Sequence, residues 1–223
     1  MGLAVTRTEV TYRFNAESAR PAARRDYREL ASKACILTLF SAMASSLVRE
    51  AAATGHVTGI LLLTSEALVV ALTLVRRTAG VVDRSWQART LTLFSTFGPP
   101  LVRPASAAIA PEALTVIISG IGLIIVVLGK LSLGRSFGLT PANRGIVSTG
   151  LYRFLRHPIY LGYLITHIGF FMAHGGPWNL FVLLAADSAL MVRAVYEEKT
   201  LALDPAYRAY MTRARWRVLP RVF

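Results

Sequence analysis

Long apolar stretches separated by short polar segments dominate the chain. Their approximate limits are 33–49, 58–75, 90–109, 113–133, 158–174 and 177–195. Each stretch is close to the roughly 20 residues that an α-helix needs to cross a hydrocarbon core of about 30 Å. The pattern therefore predicts an all-α polytopic membrane protein with about six transmembrane helices, and five spans are the alternative.

The third stretch is the weakest of the six because Pro99, Pro100 and Pro104 interrupt it, together with Arg103. Proline removes a hydrogen bond from a helix interior, so a broken or tilted helix is expected there.

The polar flanks complete the predicted organisation. Residues 1–30 are polar and predict a cytoplasmic arm, without the apolar core of a cleaved signal peptide. Residues 31–110 would form the N-terminal transmembrane helices, and residues 111–223 a core that ends in a cytoplasmic amphipathic helix.

Composition and charge support this membrane interpretation. The chain is 54% hydrophobic and only 17% charged, whereas soluble domains average about 25% charged residues. The formal net charge is +13, and 23 of the 25 Lys and Arg residues lie in the segments 1–33, 76–89, 130–156 and 193–223. Six alternating spans place all four segments on one side, and cytoplasmic loops are the ones that retain basic residues. This predicts a multi-pass protein of the cell inner membrane with both termini cytoplasmic, and no nucleic-acid partner.

The sequence RFLRHPIYLGYL at 153–164 leads from a charged loop into the fifth apolar stretch. Pro158 suits the first turn of a helix because it has no N–H group to leave unpaired, and His157 then stands near the N-cap. A helix N-terminus offers free N–H groups and a partial positive charge, to which Arg156 adds. The segment predicts a site for a carboxylate or phosphate. The alternative is that Arg and His only anchor the helix at the membrane interface.

Two acids, Glu197 and Glu198, follow the sixth apolar stretch. Arg193 precedes Glu197 by four residues and is placed to pair with it on a helix, which leaves Glu198 as the carboxylate available for chemistry. The next helix carries Tyr207 and Tyr210 broadly on one face. The structural alternative is a surface helix whose arginines contact anionic lipids.

These motifs together resemble the isoprenylcysteine carboxyl methyltransferase family and its bacterial relatives, which are also similar to phospholipid N-methyltransferases. The resemblance covers residues 133–220. It consists of Gly-x-Tyr at 150–152, Arg-His-Pro-x-Tyr-x-Gly at 156–162, Glu-Glu-x-x-Leu at 197–201, and then spaced tyrosines and a terminal basic-apolar-Pro sequence.

The resemblance implies a membrane methyltransferase that uses S-adenosylmethionine and acts on a lipophilic small molecule taken from the bilayer. Arg156 and Glu198 would be the catalytic residues closest to the acceptor. Arg156 would position a carboxylate acceptor, whereas an amine or thiol would need Glu198 as its base. The residues implied to line the cofactor site are Tyr152, His157, Pro158, Tyr160, Gly162 and Glu197, with Glu198 as the alternative to Glu197.

Two other functions are weighed against methyl transfer. Sterol reductases of similar topology use NADPH and have Arg-His-Pro-Asn-Tyr with an acid after the glycine. Here Ile159 and Tyr163 stand at those positions, which favours methyl transfer. The third alternative is a non-catalytic membrane scaffold.

Polar residues inside the predicted spans are functional hypotheses by default. His167 is interpreted as structural, Asp187 as a residue near an acceptor tunnel, and Glu66 has no partner that the sequence identifies. The acids and histidines are too scattered to predict a metal site. Ser119, Gly120 and Gly122 indicate a close helix contact, either within the chain or in a homodimer.

Overall fold

The structure is a computed structural model, and it describes residues 67–77, 79, 81–83, 85–102, 108–139 and 141–222, with scattered helical positions between 30 and 48. Residues 1–29 of the predicted N-terminal arm, most of the first apolar stretch, the first half of the second and Glu66 lie outside the described residues.

The described part of the chain is mostly helical, as predicted. Two-residue strands, β1 (Val81–Val82) and β2 (Ala142–Asn143), pair antiparallel and form the only sheet among the described residues. The helices are α1 (67–75), α2 (Trp86–Phe97), α3 (Glu112–Leu133), α4 (Pro158–Ala173), α5 (Pro177–Leu201) and α6 (Pro205–Arg213).

Two of the described helices are long and apolar enough to cross a bilayer. They are α3 with the turn that follows it, Glu112–Ser136, and α5, Pro177–Leu201. Helix α4 is equally apolar but has only 16 residues, fewer than the roughly 20 that a perpendicular span needs. These helices agree with a membrane protein, and the number of six spans stays a prediction.

The third apolar stretch is broken, as its prolines predict. Helix α2 begins at Trp86, where the Ser85 hydroxyl accepts a hydrogen bond from the Ala88 N–H group at 3.2 Å. It ends at Phe97, and Pro99–Leu101 form a 3-10 turn. Because proline supplies no N–H group, the α-helical ladder cannot continue through Pro99.

Helices α3 and α4 cross with their backbones in close contact. A Cβ atom added at Gly162 would lie 2.7 Å from the Gly122 carbonyl oxygen and 2.9 Å from the Val126 nitrogen. Gly122 therefore belongs to a contact within the chain, which is one of the two alternatives predicted for the small residues of this stretch. Gly120 faces away from this contact, since nothing lies within 4 Å of an added Cβ.

Three of the four basic segments meet at one end of the helix bundle. The Arg77 N–H group donates to the Arg135 carbonyl oxygen at 2.8 Å, and the Asn143 side chain donates to Asp204 at 2.9 Å. At the opposite end, the Trp178 indole donates to the Leu101 carbonyl oxygen at 3.0 Å. The three described basic segments thus lie at the same end of the bundle, as the predicted membrane orientation requires. The cytoplasmic location of that end stays a prediction.

Candidate functional site

The C-terminal segment of the chain packs against the start of α4. Leu155 and Trp216 form a parallel bridge. The Arg156 N–H group donates to the Trp216 carbonyl oxygen at 3.0 Å, and the His157 N–H group donates to the Arg217 carbonyl oxygen at 2.7 Å. Because these carbonyl groups use the N–H groups of Arg156 and His157, those two groups are not left for an external anion.

The predicted cationic niche holds a carboxylate of the protein itself, that of Glu198. Arg156 donates to it through Nε at 2.6 Å and Nη2 at 3.3 Å, and Arg217 donates through Nε at 2.8 Å. His157 Nε2 lies 3.3 Å from Glu198 Oε1, but the angle does not make a directed hydrogen bond, and this buried nitrogen has no hydrogen-bond partner among the described residues. Two arginines and a histidine therefore surround one buried negative charge.

Arg156 also fixes the C-terminal segment directly. Its Nη1 atom donates to the carbonyl oxygens of Ala214 and Arg215, each at 3.0 Å. Most of the guanidinium group is therefore satisfied within the protein. The sequence predicts Arg156 beside the acceptor, and the structure adds that this side chain joins the start of α4 to the end of α5 and to the segment after α6.

Glu197, the residue before Glu198 on α5, forms an ion pair with another arginine. Arg193 lies four residues earlier, and its Nε and Nη2 atoms are 3.0 Å and 2.9 Å from Glu197 Oε1, which confirms the predicted pair. Arg193 Nη2 also donates to the Leu139 carbonyl oxygen at 2.6 Å, and the guanidinium lies over the Tyr160 ring at 5.6 Å. Because α5 turns about 100° per residue, Glu197 and Glu198 face different arginines. His157 lies between the two acids, with Nδ1 3.7 Å from Glu197 Oε2 and Nε2 3.3 Å from Glu198 Oε1.

Three tyrosines form a buried layer beside these acids. Tyr152, Tyr207 and Tyr210 belong to one cluster, and the Tyr210 hydroxyl donates to the Tyr152 carbonyl oxygen at 2.7 Å. Burial raises the pKa of Tyr210 to about 12, and burial followed by the nearby Glu198 charge raises the pKa of Tyr207 above its usual range. Both hydroxyls therefore stay protonated at neutral pH. The Tyr207 hydroxyl is buried without a hydrogen-bond partner among the described residues.

A cavity of about 590 Å³ begins at these groups and continues between the helices. Its wall on α4 runs from His157 past Tyr160 and Tyr163 to Phe170, a distance of about 20 Å at 1.5 Å per residue. Helix α5 supplies the facing wall, from Glu197 at the polar end to Leu183. The volume lies within the roughly 300–1,000 Å³ of small-molecule sites.

The predicted site residues divide into two groups by their position relative to this cavity. Those that line it are Tyr152, Arg156, His157, Tyr160 and Glu197. Pro158, Gly162 and Glu198 are not among its lining residues. Gly162 instead provides the close contact with α3, and Glu198 lies behind Arg156 and His157. The sequence pattern includes these three residues in the motif, but it does not show which side of the helix each one faces.

Two basic residues of the site carried no assigned role in the sequence analysis. Arg217 completes the cluster around Glu198. Its position as the basic residue of the terminal basic-apolar-Pro sequence could have indicated that it belongs to the site. Arg144 is buried and lines the cavity, although its loop shows no periodicity from which burial could be predicted.

Among the described residues, no group of three His, Cys, Asp or Glu side chains could hold a metal ion.

The polar end of the cavity fits the chemistry of S-adenosylmethionine. The buried His157 Nε2 atom and the Tyr207 hydroxyl have no hydrogen-bond partner among the described residues, and buried polar groups of this kind require one. Glu197 offers a carboxylate for an ammonium group or ribose hydroxyls, and Tyr152 adds an aromatic side chain to the cavity lining.

The comparison with protein families finds one that matches this part of the chain. Residues 111–207, which contain α3, α4, α5 and the start of α6, match the family described as phospholipid methyltransferase. The match agrees with the resemblance inferred from the sequence motifs. No curated protein sequence matches the chain.

Proposed function

We propose that the chain is an integral membrane methyltransferase that uses S-adenosylmethionine to methylate a lipophilic acceptor, and the premise is that residues 111–207 match the phospholipid methyltransferase family. The family match implies a membrane methyltransferase. The cofactor, the acceptor class and the cytoplasmic position of the site are our proposals, and the cavity is the observation that supports them.

The polar end of the cavity is proposed to hold the cofactor. Glu197 would accept hydrogen bonds from the ammonium group or the ribose. The Tyr207 hydroxyl and His157 Nε2, which have no hydrogen-bond partner among the described residues, would each gain one. Arg144, buried at the same end, suits the cofactor carboxylate. The bound cofactor supplies a methyl group activated by a sulfonium, so the protein mainly has to hold donor and acceptor in line.

The remaining length of the cavity is proposed to receive the acceptor. Its lining there consists mainly of apolar side chains such as Phe170, Leu183 and Ala186, which favour a hydrocarbon chain over a polar substrate. Helices α3 and α5 are long enough to span a bilayer. An acceptor dissolved in lipid would therefore enter between helices, while the cofactor would enter from the basic end, which we place at the cytoplasmic face.

Arg156 and Glu198 are proposed to act differently from each other. Arg156 lines the cavity and suits a carboxylate acceptor. Glu198 does not line the cavity and is paired with Arg156 and Arg217, so we assign it a positioning role. It holds Arg156 and the C-terminal segment in place around the site.

Binding of S-adenosylhomocysteine to the purified full chain tests the cofactor proposal. A ligand that binds only the native state raises the melting temperature with increasing concentration, so S-adenosylhomocysteine would do so and NADPH would not. Tyr207→Phe would weaken binding by about threefold to tenfold, which is the range of one hydrogen bond. It would leave the melting temperature of the free protein unchanged, because the hydroxyl has no hydrogen-bond partner in the part of the chain that the structure describes.

Tyr196→Phe is the matched control, since Tyr196 does not line the cavity. A shift with NADPH instead of S-adenosylhomocysteine would favour the reductase alternative, and a shift with neither would favour a scaffold. Incubation with a labelled methyl donor and a total lipid extract would then identify the acceptor by its labelled product.

A further inference from the structure

A second polar element lies along the apolar part of the cavity. His167 of α4 and Asp187 of α5 form a contact of 2.6 Å between Nδ1 and Oδ1. An ionised carboxylate only accepts hydrogen bonds, so the tautomer that satisfies this contact with an ionised Asp187 is the one with its hydrogen on Nδ1. In the neutral ring, Nε2 is then a hydrogen-bond acceptor.

The ring is held in one orientation. Asp187 fixes the Nδ1 edge, and Tyr163 stacks against the ring with centroids 6.3 Å apart and planes 17° from parallel. His167 lines the cavity, and the side chain remains 12% exposed. Its Nε2 atom has no hydrogen bond among the described residues. Phe170 and Leu183, which also line the cavity, have no polar side-chain atoms, and the hydroxyl of the adjacent Thr166 donates to the Gly162 carbonyl oxygen at 2.9 Å.

The position of this acceptor atom along the cavity is defined by α4. His167 is ten residues beyond His157, a distance of about 15 Å along the helix axis. In a low-dielectric surrounding, an unpaired polar group is costly and a hydrogen bond to it is correspondingly favourable. The geometry therefore suits a ligand whose own donor group lies well away from its polar head.

We propose that His167, oriented by Asp187, is a subsite that accepts a hydrogen bond from a hydroxyl group carried part-way along the chain of the lipophilic acceptor. The inference rests on the proposed function, because it concerns the acceptor part of the same cavity. It narrows the acceptor to an amphiphile with a polar head at the cofactor end and a hydroxyl about 15 Å further in.

Two isomeric fatty acids test the subsite by binding alone. 12-Hydroxystearate carries its hydroxyl far from the carboxylate, whereas 2-hydroxystearate carries it adjacent to the carboxylate, and the two have the same composition. In the full-length protein in nanodiscs, the 12-isomer would bind about threefold to tenfold more tightly, the value of one hydrogen bond. Equal binding of the isomers, tighter binding of the 2-isomer, or binding of neither would overturn the proposal.

Variants then assign the preference to the histidine. His167→Phe would abolish the preference for the 12-isomer, and His167→Gln, which keeps an acceptor oxygen, would retain part of it. His174→Phe is the control, because His174 does not line the cavity, and it would leave the preference intact. A preference that persists in His167→Phe would show that the His167–Asp187 pair only ties the helices together. Should that variant fail to fold, the comparison of isomers in the unaltered protein still decides the proposal.

Addition of S-adenosylhomocysteine to the same preparations separates this inference from the proposed function. A melting shift with S-adenosylhomocysteine but no isomer preference would refute the subsite alone. An isomer preference without any shift would retain the subsite and refute the methyltransferase.

Discussion

The replacement of Glu198 by glutamine tests how the site is held together. Glu198 is 4% exposed and accepts hydrogen bonds from Arg156 and Arg217. Glu198→Gln keeps the shape of the side chain but removes the charge that the two guanidinium groups share. Arg156 is itself only 9% exposed, so water cannot replace the lost partner well.

The expected loss of stability is large because a buried charge is left without its counter-ion. Removal of one partner from a buried ion pair destabilises proteins by about 3–5 kcal/mol. For a chain of 150–250 residues, each kcal/mol lowers the melting temperature by about 2–4 °C. Glu198→Gln is therefore expected to melt roughly 6–20 °C below the unaltered protein.

Thermal unfolding of the purified protein, followed by tryptophan fluorescence, measures this loss. Trp216 lies in the C-terminal segment that Arg156 holds, so its emission reports on the affected region. Lys199→Gln is the control, because Lys199 is the exposed neighbour of Glu198 and surface substitutions stay within about 0.5 kcal/mol.

A double-mutant cycle then identifies the interaction. Arg156→Met combined with Glu198→Gln would be less destabilised than the sum of the two single changes, by about 0.5–3 kcal/mol, because the second substitution removes a charge that the first left unpaired. Additive effects, or a Glu198→Gln variant that melts with the unaltered protein, would refute the assignment of Glu198 as the centre of this cluster.

Two further predictions concern helix packing and pH. Gly162→Ala would destabilise the protein by about 1–3 kcal/mol, because its Cβ would lie 2.7 Å from the Gly122 backbone oxygen. In the same melting assay Gly120→Ala would be neutral, since nothing lies within 4 Å of its Cβ. Equal melting temperatures for the two variants would contradict this account of the packing. Burial raises the pKa of Tyr210 to about 12, whereas an unfolded tyrosine titrates near 10. The unfolded chain therefore releases its proton first, and Tyr210 contributes a loss of stability as pH rises from about 10 to 12. Tyr210→Phe would reduce that slope in melting curves recorded across this range, and an unchanged slope would argue against a buried Tyr210 hydroxyl.

The helical elements around the site were predictable because their signals are local. Pro158 at the first turn predicts where α4 begins, and α4 does begin there. The spacing of Arg193 and Glu197 predicts an ion pair, which the structure confirms. The break at Pro99 follows in the same way from the missing N–H group. Each of these features depends on residues within about one helical turn of one another.

The partners of the motif residues were not predictable, because they come from distant parts of the chain. Arg156 and Glu198 are 42 residues apart, and Arg156 meets the Ala214 carbonyl oxygen 58 residues away. The resemblance implies that Arg156 and Glu198 lie near one acceptor, but it does not indicate that Glu198 itself fills the anion-binding niche at the start of α4. The contact between Gly162 and Gly122 was likewise not predictable, since small residues allow two helices to approach closely but do not specify which helix is the partner.

The sequence by itself determined an apolar helical protein, a one-sided distribution of basic residues and a set of motifs that resemble a membrane methyltransferase family. It did so because hydrophobicity, proline and short spacings act locally along the chain. Only the tertiary structure decided that Glu197 faces the cavity while Glu198 lies behind it, and that His167 meets Asp187 across two helices. The direction in which a side chain faces depends on how the helices pack, and packing is a property of the whole assembly of helices.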